Sequence, residues 1–442
     1  MLLGTQRVNA RGHLEIGGCD TLDLAREFGT PLYVMDEATI RGNCRALRAA
    51  YAKRYPTSLM LFAAKAFINM AICRIMDEEG MGLDLSSGGE LYTALKAGFP
   101  LERAYLHGNN KAPWELELAL DHGVGRIVLD NEREMALLQE LAAARGRVQD
   151  VLLRLSPGIK PQTHSYIQTG QIDTKFGMGI STGCAMNGLR TALTMPNLRI
   201  VGLHCHIGSN IMGLDSFEMA ARMMIRFAAH VRDELKLTIC ELDLGGGVGV
   251  RYTPDQEPPS AEDYAEAVIT GLHDELAKYD LPPLLLLQEP GRSIVGEAGT
   301  TLYTIGTIKD VPGIRRYVSV DGGMSDNPRP ALYEAKYSTL VANKPEAPLT
   351  QKVTIAGKHC ECDNLIFDAD LPDVASGDLL AVQTTGAYNY SMASNYNRFT
   401  KPAVVLVNDG QAELIAARET LDDLLSHDVI PERLQKSCAA CG

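Results

Sequence analysis

Eight short apolar runs recur between residues 57 and 292, each closed by a polar or glycine residue. They are SLMLFAAK (58–65), GLDLSS (82–87), AYLHG (104–108), RIVLDN (126–131), VLLRLSPG (151–158), IVGLHCHIG (200–208), ELDLGGG (241–247) and LLLLQEPGR (284–292). Segments such as GELYTALKAG and EREMALLQELAAARG lie between them, with apolar residues at three and four spacing. The runs are strand-sized and the spacers read as amphipathic helices. Alternation of this kind requires a parallel sheet. Eight strands within about 235 residues match a (β/α)8 TIM barrel in count and size. Only the stretch after the fifth run, 157–199, breaks the rhythm, and its Gly and Pro signals read as an expanded loop.

A chain of 442 residues is longer than such a barrel needs. Past residue 300 the runs TTLYTIGTIKDV, RRYVSVDGG, QKVTIAG, DLLAVQT and PAVVLVNDG follow one another without helical spacers. They predict a mainly antiparallel β-barrel or sandwich domain, joined by HLEIGG and a short helix from the N-terminal segment. The fold class is therefore α/β, a barrel with a β companion. The expected divisions are 1–35 (N-terminal segment joining the β domain), 36–300 (barrel), 301–430 (β domain) and 431–442 (tail).

Composition bounds the partners. Apolar residues make up 45% and charged residues 22%, which excludes disorder, collagen and coiled coil for the whole chain. A net charge of −13 argues against nucleic acid, which needs a basic face. Leu284 to Leu287 is the best apolar run, far below the 18 residues of a membrane helix. The opening MLLGTQRVNARGH lacks a signal-peptide pattern, so a cytoplasmic protein without membrane attachment is expected. Cys19, Cys44, Cys73, Cys184, Cys205 and Cys240 are scattered, mostly in apolar segments, and read as reduced core thiols.

In a barrel the site lies at the C-terminal strand ends. Those ends carry Lys65, Asp84, His107, Asp130, Arg154, His206, Gly245 to Gly247 and Glu289. Lys65 either snorkels to the surface or is a desolvated amine able to form a Schiff base. The GGGVG cluster (245–249) lacks dinucleotide and Walker spacing, but with EPGR (289–292) it falls where barrels hold phosphate. Glu289 either pairs with Arg292 or water, or serves a protonated ring nitrogen. His204 and His206 have a spacing that suits a metal, as do Cys360 with Cys362 and Cys438 with Cys441. None of these sets is convincing, so no metal is expected. Arg329 and Tyr333 in DGGMSDNPRPALY are either an exposed loop or a carboxylate clamp.

FAAKA, DLSSGGE, HGNNK, HIGSN, DLGGGVG, EPGR, DGGMSDNPRPALY, GAYNYSMASNYN and RETLDDLL occur in this order. Together they resemble fold-type III decarboxylases dependent on pyridoxal 5'-phosphate (PLP), with an alanine racemase-like barrel. The similarity is greatest to the diaminopimelate decarboxylases and covers residues 30 to 430; THSYIQTGQIDTKFG (163–177) resembles that subfamily too. It implies decarboxylation of meso-2,6-diaminopimelate at its D-centre to L-lysine and CO2, the last step of lysine biosynthesis. The alternative is a related decarboxylase acting on ornithine, arginine, carboxynorspermidine or a secondary-metabolite precursor.

The resemblance implies roles residue by residue. Lys65 would hold PLP, His206 would stack on its ring, Glu289 would pair with the ring nitrogen, and Asp84 and Arg154 would support them. Ser209, Gly245, Gly246, Gly247, Pro290, Gly291, Arg292 and Tyr388 would surround the phosphate. Arg292, Arg329, Tyr333 and Tyr388 would grip the distal end of the substrate, with Glu361 receiving its amino group. Cys360 would be the proton donor, reaching the site from the second subunit of a homodimer. The family usually has serine after the Cys–Glu pair. Cys362 stands there instead, implying retained activity with altered redox sensitivity; the tail cysteines lie outside the family pattern.

Overall fold

The computed structural model describes residues 1–159 and 173–435. Most of THSYIQTGQIDTKFG, together with Cys438 and Cys441, lies outside the described residues. The eight apolar runs form the strands Ser58–Ala63, Gly82–Leu85, Ala104–Leu106, Arg126–Leu129, Gln149–Ser156, Leu198–Cys205, Glu241–Asp243 and Leu285–Gln288. Each pairs in parallel with the next, and Leu286–Gln288 closes the ring against Ser58–Met60. The helix Glu37–Arg54 precedes the first strand and packs on Ala261–Lys278 and on the short Arg292–Val295. It thus covers the flank that a long helix after the eighth strand would otherwise fill.

Strand pleating sorts the side chains into two rows. Met60, Phe62, Leu83, Leu85, Leu106, Ile127, Leu129, Leu153, Leu203, Leu242 and Leu286 face outward, into the main core shared with the helices. Leu61, Tyr105, Val128, Leu152 and Leu287 face inward and fill the lower barrel. Arg126 and Glu241 pair there at 2.6 Å, with the Tyr105 hydroxyl donating to Glu241 Oε2. The sixth strand needs an adjustment. Its pairing with Gln149–Ser156 slips between Ile200 and Gly202, leaving Val201 as an extra residue. Ile200 and Leu203 therefore both face outward, although three residues apart, and His204 turns inward.

The expected loop 157–199 is corrected in its described part. Met178–Gly179 extends the sheet beside the fifth strand, and Cys184–Ala192 is a helix. Its buried Ala185, Leu189 and Ala192 have helical spacing. The Gly and Pro signals before it masked that pattern.

The second unit is organised on one long strand, Gly299–Val311. It pairs antiparallel with Arg315–Val320, with Leu379–Gln383 and with the N-terminal strand Leu32–Asp36. Ala403–Asn408 then pairs in parallel with Leu32–Asp36, so both ends of the chain meet in one sheet. Two apolar clusters stabilise this unit, one around Tyr303, Val318 and Ile355, the other around Leu14, Leu32, Val34 and Val405. Among the described residues Cys19, Cys44, Cys73 and Cys205 are buried and Cys184, Cys240, Cys360 and Cys362 exposed, all as free thiols.

Deleting Val201 removes the bulge and leaves Gly202 opposite Leu152, Leu203 opposite Leu153 and His204 opposite Arg154, so both rows are kept. We expect a loss of no more than about 1–2 kcal/mol, read as a small fall in melting temperature, because only the packing of Val201 against the lower barrel is lost.

Candidate active site

Lys65 lies in the single 3-10 turn Ala64–Ala66 that ends the first barrel strand. Ala64, Ala66 and Phe67 pack outward and lock the turn, while 37% of the Lys65 side chain stays accessible from the barrel mouth. Its Nζ donates to Asp84 Oδ2 at 2.6 Å. Burial disfavours the ammonium, yet Asp84 and then Glu289 outweigh it and lift Lys65 above its ordinary range. Burial likewise works against the Asp84 carboxylate, but His107 and Lys65 hold it below the usual carboxylate range. Two charges buried together in this way persist because each answers the other.

Glu289, just past the eighth strand, sits at the centre of the inward row. His107 Nε2 and His204 Nε2 each lie 3.2 Å from Glu289 Oε1, off the line of a straight hydrogen bond. The two imidazoles meet edge to face, with centroids 4.9 Å apart. Burial, ahead of all charges, pushes His107 down to about 4 and His204 well below its ordinary value. Both are neutral at physiological pH. Asp243, paired in register with His204, is pushed well above the carboxylate range by burial and by the charge of Glu289. His107, His204 and Glu289 also form a ligand-type set within 4.8 Å. The sequence pairing of His204 with His206 is thus divided. His206 accepts from the Gly246 amide at Nδ1, 3.2 Å away, and burial followed by Lys65 pushes it down to about 3.

The glycine cluster has a packing cause. Gly246 lies against the Glu289 carbonyl and Gly247, at φ 111°, against the Gly208 carbonyl. A Cβ at either would collide with backbone, so three strand-end loops meet main chain to main chain. Gly291 is packed more loosely, against the Cβ atoms of Ala63 and Ala66. The amides of Gly245 and Gly246 are taken by Asp243 and His206.

Beside this cradle Arg292 is buried, donating to Ser209 Oγ at 2.9 Å and to the Tyr252 hydroxyl. Its guanidinium lies 4.7 Å from the Tyr388 ring centre. Arg329, also buried, donates to the same Tyr252 hydroxyl at 2.9 Å and to Tyr337 at 2.7 Å. One phenol therefore joins two arginines. Burial disfavours its phenolate, but Arg292 and Arg329 outweigh that and lower the Tyr252 pKa. The sequence reading paired Arg329 with Tyr333. The structure gives Arg329 the hydroxyls of Tyr252 and Tyr337, and Tyr333 lies half-buried at the end of the helix Arg329–Tyr333. Tyr252 and Tyr337 lie in unremarkable sequence, and only the folded chain reveals them.

Other expected residues fall further out. Arg154 lies on the inward row, with its guanidinium 4.2 Å from the Phe176 ring and 3.9 Å from Asp130. Pro290, between Glu289 and Gly291, is buried and accepts from the Ala63 amide. Tyr388 enters from the second unit, its amide donating to the Ala66 carbonyl at 2.8 Å. Cys360, Glu361 and Cys362 are exposed on the loop between Gln351–Ala356 and Asn364–Leu371. Their hydrogen-bond partners are Asn397, for the Cys360 amide, and Tyr396, for Glu361. Asp363 ties this loop down, accepting from His359 Nδ1 at 2.5 Å and from the Met324 amide at 2.9 Å.

Two observations fit these residues to PLP. Asp84 Oδ1, beside Lys65, is buried without a hydrogen-bond partner, as expected of a lining built for a polar ring. The glycine loops beside Ser209 and Arg292 form a close backbone cradle with a cation at its edge, as an anion requires.

Residues 38–296 match the family described as pyridoxal-dependent decarboxylase, pyridoxal binding domain. The diaminopimelate decarboxylase of Bacillus subtilis (strain 168) is 48% identical over 97% of this chain and 98% of its own. A crystal structure of diaminopimelate decarboxylase from M. jannaschii superposes with a TM-score of 0.91 at 35% identity, covering 98% of this chain and 99% of that one. A second, of that enzyme with L-lysine, has a TM-score of 0.91 at 34% identity, covering 98% and 100%.

The packing cause of the glycine cluster is testable through stability alone. Gly246→Ala should cost about 1–3 kcal/mol or more, because the Glu289 carbonyl cannot yield. Gly213→Ala, where a Cβ meets nothing within 4 Å, should leave the melting temperature unchanged.

Proposed function

The chain belongs to the pyridoxal-dependent decarboxylases, within their diaminopimelate decarboxylase family, and on that premise we propose that it decarboxylates the D-centre of meso-diaminopimelate to give L-lysine. The single observation that carries the substrate assignment is the pair of buried arginines, Arg292 and Arg329, joined through Tyr252 beyond Lys65. Arginine grips a carboxylate bidentately, and two of them suit a substrate with a second carboxylate away from the reacting carbon. Ornithine and arginine bring no such group.

The residues then divide the work. Lys65 Nζ would hold PLP covalently, with Asp84 and Arg154 supporting that side. Ser209, Gly245 to Gly247, Pro290, Gly291, Arg292 and Tyr388 would line the phosphate site. Since Gly245 and Gly246 donate their amides within the protein, Gly247 and the Gly291 turn are the backbone donors we assign to it. His206 would cover the ring and Glu289 would pair with its nitrogen. When bound, PLP provides the electron sink for the pair left on Cα as the C–C bond breaks and CO2 departs. Cys360 Sγ then gives its proton to Cα, forming the new C–H bond, and recovers one from solvent. Arg292, Arg329, Tyr333 and Tyr388 fix the distal end of the substrate, and Glu361 takes the distal ammonium.

Exposure of Cys360 and Glu361 supports a homodimer in which each copy completes the site of the other. No described helix is long and apolar enough to cross a membrane. We take the protein to work in the cytoplasm, on a small amino acid, as the first of its partners. The divisions near residues 35, 300 and 430 are retained as proposed domain limits.

The purified protein with PLP should convert meso-diaminopimelate into lysine, identified by mass, with one CO2 per turnover. Equal turnover of ornithine or arginine would overturn the substrate assignment. Lys65→Ala should lower kcat by more than about 1000-fold, as loss of the cofactor anchor demands. Cys360→Ser should lower kcat by about 100- to 10,000-fold with a near-normal KM, as expected for a lost proton donor. Tyr252→Phe should lower kcat/KM by about 10- to 100-fold through a raised KM, because charged hydrogen bonds are lost.

A further inference from the structure

Glu289 crosses the barrel interior toward two histidines supplied by strands on its far side. His107 follows the third strand and His204 lies on the sixth, opposite Arg154. Both are almost fully buried, and neither is used by the reaction described above. We propose that His107 and His204 are positioning residues that hold one oxygen of Glu289 through their Nε2 atoms, reserving the other oxygen for the cofactor's ring nitrogen. This inference rests on the reading of Glu289 as the ring-nitrogen partner.

The geometry carries it. Both Nε2 atoms lie 3.2 Å from the same Oε1. The edge-to-face arrangement of the rings, at 70°, lets them approach that oxygen from different sides. A carboxylate oxygen accepts two donors readily. Histidine χ2 is broad, so a small ring rotation brings each N–H into line. A neutral imidazole has one N–H, and placing it on Nε2 uses it here; burial keeps both rings neutral. The groups facing this cluster are consistent with that assignment. Asp84 Oδ1 is 3.6 Å from His107 Nε2, Lys65 is engaged by Asp84, and Asp243 lies beside Glu289 as an acid whose proton burial retains. Arg154 and Lys111 disfavour a charge on His204 from the other side. A buried carboxylate without such donors would swing or take up a proton, and the ring nitrogen would lose its partner.

The test compares His204→Leu with His204→Gln, and His107→Leu with His107→Gln, in the PLP-loaded enzyme. Glutamine places an N–H near the Nε2 position and leucine does not. We expect the leucine variants to bind PLP at least about tenfold more weakly by equilibrium dialysis, with lower kcat and unchanged KM. The glutamine variants should recover most of that loss. Leucine variants within twofold of the parent in both readouts would overturn the proposal. So would glutamine variants as impaired as leucine ones, which would mark the rings as packing alone. Should leucine prevent folding, asparagine, which reaches only the Nδ1 position, replaces it against glutamine with the same expectations. Glu289→Gln separates the two readings. If that variant keeps the parental rate and PLP affinity, the role of Glu289 falls; if only the histidine changes are silent, the positioning role falls.

Discussion

Everything polar in this barrel depends on the two-residue period of a closed, pleated sheet. A strand side chain has only two destinations, the apolar shell beneath the helices or the interior of the ring. Phe62, Leu83, Leu106, Leu129, Leu153, Leu242 and Leu286 take the first because burying them is favourable. The alternate positions are thereby committed to the interior, and near the strand ends they are Asp84, His107, Asp130, Arg154 and Glu289. The site is the complement of the core. Lys65 continues the same row one turn past its strand.

Placing charge and imidazole inside such a ring is costly unless each group has a partner. The lower barrel meets this with Arg126 and Glu241, and the flank with Lys111, whose ammonium lies 2.5 Å from Glu134 Oε1. At the mouth the balance is left incomplete. Lys65 and Asp84 Oδ2 satisfy each other, Asp84 Oδ1 keeps no hydrogen-bond partner, and burial keeps the histidines around Glu289 neutral. A lining of this kind is poised for a polar guest, which is how a stable scaffold holds a reactive one.

The second unit supplies what the strand ends cannot. Arg329, Tyr337 and Tyr388 all come from it, and the Tyr388 amide is tied to Ala66, next to Lys65. Tyr388 adopts a positive φ of 61° to make that approach, a local cost that the packed loop bears. Arg292 from the barrel and Arg329 from its companion meet at Tyr252, so this pair of buried arginines exists only where the two units touch. Asp363 anchors the exposed Cys360 loop in the same unit.

Much of this was legible in the sequence, because period and punctuation are local properties. The eight apolar runs, the β strands after residue 300, and the residues that close each run can be counted without a structure. So can Lys65, Glu289 and the glycine cluster, as positions. The family resemblance added roles, which periodicity cannot supply. Other features depend on contacts between distant segments. Tyr252 and Tyr337 carry no local signal, and their meeting with Arg292 and Arg329 joins four separate segments. The helix Cys184–Ala192 was hidden by neighbouring glycines. His204 shows the division most clearly. Its sequence position made it a partner of His206, whereas pairing opposite Arg154 turns it toward Glu289. Sequence alone determined which residues alternate, since side-chain chemistry sets that pattern locally. Tertiary structure decided which groups face one another, because register is settled only when neighbouring strands pair.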